Sequence, residues 1–184
     1  MRDLSLQLMD LAQNSIQAGA GQVGISLALD ETGKLTLMIR DDGCGMSAEL
    51  LNQVHSPFVT GRTTRKVGMG IPLAQNNAAS TGGGLEIRSA PGQGTELTLT
   101  YFTRHIDCPP LGDLAQTVAA LILANPQCPE FRVSLTSQRG ERALDTRELK
   151  QALGEVPLNT AEVIAWLMEA AQDMTRDIFG GELQ

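Results

Sequence analysis

Basic residues are scarce in this chain: 14 Lys and Arg stand against 21 Asp and Glu, giving a net charge of −7 and a pI near 4.8. A protein that grips a phosphate backbone needs a cationic face, so no nucleic acid is expected as a partner. Long hydrophobic runs are missing as well. The longest, around residues 118–124, is far short of the roughly 20 residues that cross a bilayer, so no membrane contact is expected. Asp3 and Asp10 interrupt any charged-then-apolar leader at the start. Cys44, Cys108 and Cys128 are an odd set without metal-ligand spacing, which fits a reducing compartment. The two histidines, His55 and His105, are isolated. These absences point to a cytoplasmic protein. Its 184 residues, 42% of them apolar, suffice for one full core and a small second unit.

Hydrophobic periodicity organises the rest. Residues 3–18 read as a helix with Leu4, Leu8, Leu11, Ala12, Ser15 and Ile16 on one side and Asp3, Gln7, Asp10, Asn14 and Gln17 on the other. Asp10 and Asn14 lie one turn apart and project together. Residues 23–29 and 35–40 alternate as two strands joined at Asp30-Glu31-Thr32-Gly33, a hairpin signal. A short helix follows Ser47, and another spans 71–79. Strands at 85–89 and 95–102 complete an α+β sandwich of about a hundred residues, with helices over a four-stranded sheet. Cys108-Pro109-Pro110 reads as a linker, making residues 105–110 a boundary. Beyond it, a helix over 111–124, a hairpin of strands 131–137 and 142–144 turning at Gln138-Arg139-Gly140, a helix opened by Asp145-Thr146-Arg147-Glu148 and a last helix to 178 closed by Gly180-Gly181 read as a second, smaller α+β unit, 111–184.

Two stretches fit neither pattern. Asp41-Asp42-Gly43-Cys44-Gly45-Met46 places two acids and two glycines between a strand and a helix, where carboxylates act as acceptors and glycines admit close backbone approach. By itself such a turn is more commonly a cap or hairpin loop than a ligand site. Residues 55–70 lose periodicity and gather Arg62, Arg65 and Lys66, the densest basic cluster in the chain, before ending in Gly68-Met69-Gly70 at a helix start. Such a segment is a lid or an insert. Glycines leading into a helix expose unpaired N–H groups and the positive dipole end, which suit an anion.

Taken in order, Asp10/Asn14 in DLAQNSIQAGA, the DDGCGM turn, VGMGIPLA and GQGTELTLT resemble the four boxes of the GHKL superfamily of gyrase, heat-shock chaperone, mismatch-repair ATPases and histidine kinases. PFVTGRTTRKVGMGIPLA is most similar to the histidine-kinase variety. The resemblance covers residues 1–104 and implies a two-layer α/β sandwich of the Bergerat type that binds ATP with Mg²⁺. It implies that Asn14 holds Mg²⁺ through its amide oxygen and that Asp41 accepts from the adenine amino group. It gives Gly43 and Gly45 the role of leaving room for the base, Met46 that of packing on its face, and Thr95 that of completing its contacts. It assigns the phosphates to Gly68, Met69 and Gly70, with Arg62 and Lys66 as γ-phosphate contacts.

Two departures shape the functional expectation. Asp10 stands where family ATPases usually carry Glu as the base that activates water, one methylene shorter, and a displacement of about 1 Å can cost about 10²-fold in rate. The chain also opens at the first box, so a self-contained histidine kinase is not expected. Two classes of function follow. One is a regulatory module that binds ATP–Mg²⁺, whose nucleotide-ordered lid signals to a protein partner, with a homodimer possible. The other is a catalyst, either a slow ATPase or a stand-alone kinase resembling anti-sigma-factor serine/threonine kinases, with Asp10 as base.

Overall fold

The computed structural model describes residues 3–55, 70–181 and 183. Twelve elements follow in the order α1 (Leu4–Gln17), β1 (Gln22–Leu29), β2 (Lys34–Asp41), α2 (Ala48–His55), α3 (Gly70–Ser80), β3 (Gly84–Ser89), β4 (Thr95–Phe102), α4 (Leu114–Ala124), β5 (Glu130–Ser137), β6 (Gly140–Asp145), α5 (Thr146–Leu153) and α6 (Ala161–Phe179). Among the described residues no helix is long and apolar enough to cross a membrane.

The strands form a single mixed sheet in the order β3-β4-β2-β1-β5-β6. Their alternation decides which face is covered. In β1, Val23, Ile25, Leu27 and Leu29 are buried, and in β2, Leu35, Leu37 and Ile39 are buried, while the intervening residues face the other way. Register carries the pattern sideways: Leu27 lies opposite Leu37, Leu37 opposite Leu99, and Leu27 opposite Leu135. The helices pack on this apolar face, giving the expected two-layer α+β sandwich. Each fully buried aliphatic side chain there, such as Leu8, Leu35 or Leu99, contributes roughly 1.5–3 kcal/mol.

The sequence separates residues 111–184 as their own unit; the sheet does not. β5 pairs parallel with β1 from Gln22↔Glu130 to Ala28↔Thr136, and β6 extends the same sheet antiparallel. One hydrophobic cluster joins Ile25 and Leu37 to Phe131, Val133, Leu167 and Phe179. The physical reason is that β1 would otherwise present an unpaired edge, and β5 satisfies it. Nor do residues 105–110 swing free at their C-terminal end. The Leu4 amide donates to the Pro110 carbonyl (2.9 Å) and the Ser5 amide to the Leu111 carbonyl (2.9 Å). These bonds, with the Asp3 carboxylate accepting from the Leu6 amide, satisfy N–H groups that the first turn of α1 leaves open.

Capping in the C-terminal half follows its sequence signals. Asp145 caps α5 by accepting from the Arg147 amide at 2.9 Å, and α6 closes on Gly180 in the left-handed region. The strand β6 is longer than expected, beginning at Gly140.

Candidate functional site

The site grows from the C-terminal end of β2. Asp41 is the last residue of that strand, on the helix-covered face, and only 8% exposed. A buried carboxylate needs donors, and three elements supply them. Ser15 Oγ of α1 donates to Oδ2 at 2.6 Å, while Oδ1 accepts from the Gly43 amide (3.0 Å) and the Thr95 amide (3.2 Å). The carboxylate is thus held in one orientation by α1, its own turn and β4.

The glycines of the turn have a structural cause. Gly45 has φ +65°, and a Cβ there would stand 2.0 Å from the Ala90 carbonyl oxygen. Gly94 has φ +74°, and its Cβ would stand 1.9 Å from the Asp41 carbonyl oxygen. The 41–46 turn and the 90–94 turn are therefore pressed together backbone to backbone, and the Gly92 amide donates to the Cys44 carbonyl at 2.8 Å. At Gly43 a Cβ would meet Ala18 at 2.8 Å, so this glycine lets the turn close on the end of α1. The approaches that Gly43 and Gly45 permit are thus to the protein's own chain.

Ser89 locks the other side. Its hydroxyl donates to the Gly94 carbonyl (2.9 Å), accepts from the Met46 amide (2.9 Å) and lies 2.9 Å from Thr95 Oγ1. Asp42 turns the other way, where its Oδ1 accepts from the Gly21 and Gln22 amides at 2.7 and 2.8 Å and fixes the start of β1.

Around Asp41 opens a cavity of about 250 Å³, walled by Leu11, Ile39, Met46, Val54, Ile71 and Leu97, with Asn14, Gly45 and Thr95 also lining it. An oriented carboxylate at the end of an apolar slot can accept from an amino group on a flat, largely apolar ring. Asp10 lies outside the lining and is exposed; it stands beside the first turn of α3, where a Cβ on Gly70 would be 3.4 Å from that of Asp10. The structure thus gathers Asn14, Asp41, Gly45, Met46 and Thr95 about one cavity and brings Asp10 to Gly70. Arg62, Lys66, Gly68 and Met69 lie outside the described residues. Sequence reasoning overlooks Ser15 and Ser89. The one available signal for Ser15 is a hydroxyl placed within the apolar stripe of α1.

Similarity to known proteins agrees with this geometry. Sporulation kinase D of Bacillus subtilis is 32% identical over 96 residues, half of this chain but 18% of the kinase. Sensor histidine kinase ZraS of Escherichia coli is 32% identical over 98 residues, 52% of this chain and 21% of the kinase. The aligned stretch thus spans about a fifth of each. Among solved structures, the N-terminal domain of a DNA repair protein superposes with a TM-score of 0.51 over 79% of this chain and 53% of that one, at 14% identity, a likeness of fold. Residues 2–105, which hold every part of the cavity just described, match the family of histidine kinase-, DNA gyrase B- and HSP90-like ATPases. The chain belongs to that family, and its α+β sheet carries the family's ATP-binding fold.

Proposed function

We propose that this chain is a cytoplasmic regulatory module that binds ATP with Mg²⁺ and passes its nucleotide state to a protein partner. The observation that carries the reading is Asp41: a buried carboxylate, held by Ser15, Gly43 and Thr95, facing an apolar slot. In that orientation its acceptor oxygens select a ring amino group over a ring carbonyl, which favours adenine over guanine. Met46 and Leu97 flank the ring, and Thr95 offers its hydroxyl alongside.

Among the described residues no three His, Cys, Asp or Glu side chains gather as a metal cage. Mg²⁺ is commonly held by one or two protein oxygens together with phosphates and water. The Asn14 amide oxygen on the cavity wall fits that role. The ion neutralises phosphate charge when bound. Gly70, at the N-terminus of α3, presents its end of the helix dipole toward the same side. Arg62, Lys66, Gly68 and Met69 complete the phosphate contacts in this reading, and the 58–70 stretch is its nucleotide-ordered lid.

Calorimetric titration tests it. ATP–Mg²⁺ is expected to bind the wild type, GTP to bind far more weakly, and Asp41→Asn to lose the preference. Absence of ATP binding, or an unchanged affinity in Asp41→Asn, overturns the proposal.

The position of Asp10 favours a second reading, as a slow ATPase or a protein kinase of the anti-sigma-factor kind. Its carboxylate stands exposed beside the first turn of α3, where it can take a proton from water or from a partner's hydroxyl. In that case phosphate release or transfer from labelled ATP is expected to fall to background in Asp10→Asn. Equal rates in the two proteins exclude it.

A further inference from the structure

The face of the sheet turned away from the helices carries a row of side chains that the nucleotide reading does not use. Register sets Arg88, Glu96, Arg40, Gly24, Arg132 and Asp145 side by side across all six strands. Gly24 is the exception in this charged row. Its φ is not positive, and a Cβ built on it meets nothing closer than the Arg40 carbonyl oxygen at 3.8 Å, an ordinary contact. Neither backbone conformation nor internal packing asks for glycine there. A glycine inside a strand is unfavourable, and it marks a place where something approaches the backbone closely.

The absent side chain leaves a notch within a cavity of about 370 Å³ whose lining includes Gly24, Arg40, Arg132 and Arg147, with the carboxylates of Asp42 and Glu130. Both carboxylates are already engaged. Asp42 holds the Gly21 and Gln22 amides, and Glu130 accepts from Lys150 Nζ at 2.6 Å and Thr146 Oγ1 at 2.5 Å. Arg147 is likewise committed, bonding Asp145 with Nε and Nη2 at 3.0 and 2.7 Å. The two arginines that flank Gly24 are not. Arg132 comes only within 3.8 Å of Asp145, and Arg40 makes no ion pair or side-chain hydrogen bond among the described residues, its cross-strand neighbour Glu96 lying nearer to Arg88.

We propose that this notch seats the phosphate or carboxylate group of a small free anion, with Gly24 as floor and Arg40 and Arg132 as walls. Two strand spacings separate the walls, about 10 Å between Cα atoms, a span that two long guanidinium arms close around one oxyanion. Each fork matches the planar oxygen pair of such a group. The notch opens on the other face of the sheet from the apolar slot, and Asp41 borders both cavities.

Titration of the full chain with inorganic phosphate, and separately with citrate, at constant ionic strength and followed by amide ¹H–¹⁵N shifts, tests it. At least one anion is expected to give saturable shifts at Gly24 and Arg132. Arg40→Gln is expected to weaken that binding about tenfold or more, as loss of a charge-assisted bond does, and Gly24→Val to weaken it by filling the notch, while Arg88→Gln leaves it unchanged. Arg132→Gln repeats the test should the valine variant fail to fold. Shifts that rise linearly without saturating for both anions, or saturation that persists equally in Arg40→Gln and Arg132→Gln, overturn the proposal.

Discussion

Asp41 shows how one residue depends on donors far away in the chain. Its Oδ2 is held by Ser15, 26 positions earlier, and its Oδ1 by Thr95, 54 positions later. Ser15→Ala is expected to destabilise the protein by about 1–3 kcal/mol, because it leaves a buried carboxylate oxygen without its donor; urea denaturation measures the loss, and an unchanged midpoint shows that the hydroxyl is dispensable. Gly94→Ala is expected to cost more than about 1 kcal/mol, since the methyl group meets the Asp41 carbonyl in a backbone region that alanine disfavours. Asp145 gives a pH prediction. The hydrogen bond from Arg147 holds its carboxyl below the ordinary value of 3.8, against a smaller opposing effect of burial. A lowered folded-state pKa means that the stabilisation is present above the ordinary value and disappears as pH falls through the folded one. Asp145→Asn, which keeps an acceptor for the α5 cap, is therefore expected to flatten the acid limb of a stability–pH curve below about pH 4.

Among elements, β1 has the greatest structural consequence. It pairs with β2 on one side and β5 on the other, so the part of the sheet that carries the cavity is completed by a strand from the C-terminal half. A fragment of residues 1–110 leaves β1 as an open edge and uncovers Ile25 and Leu27. Such a fragment is expected to aggregate or to lose cooperative unfolding, as read by sedimentation and far-UV circular dichroism. If it folds as a monomer with full cooperativity, the C-terminal half is an addition and not part of the frame. α1 is similarly tied at both ends, to Pro110 and Leu111 at its start and to the Asp41 turn through Ser15 near its end. The helix bearing Asn14 is thereby braced on the core.

At the scale of the whole molecule, one sheet and one hydrophobic cluster argue for one cooperative unit. Trp166 on α6, half exposed, reports from the C-terminal half, while circular dichroism reports from all elements. The two urea transitions are expected to coincide; separated midpoints would show two units. Leu167, fully buried on α6, extends the point: Leu167→Ala is expected to lower the common midpoint, at a cost of about 2–5 kcal/mol, and not to melt α6 alone.

The order of the four boxes, the apolar stripe of α1, the alternation of β1 and β2 and the caps at Asp145 and Gly180 were all legible in the sequence, because each is a local pattern whose period or residue type carries its own physics. Gln7 was not, since the period sets it on the polar side of α1 while the fold buries it, its side-chain oxygen accepting from the Tyr101 hydroxyl. Alternation states which face of a strand is buried, but not which strand lies beside it. The parallel pairing of β5 with β1 therefore came only with the tertiary structure, and with it the union of two apparent units. For the same reason Ser15 read as part of an apolar stripe and Asp42 as a loop acid until folding brought Ser15 to Asp41 and placed the Gly21 and Gln22 amides on Asp42. The glycines of the 41–46 turn were visible as exceptions. That Gly45 serves a backbone contact with the 90–94 turn, and Gly43 one with Ala18 at the end of α1, was decided by tertiary packing, because close approach is a property of two segments and neither one encodes it alone.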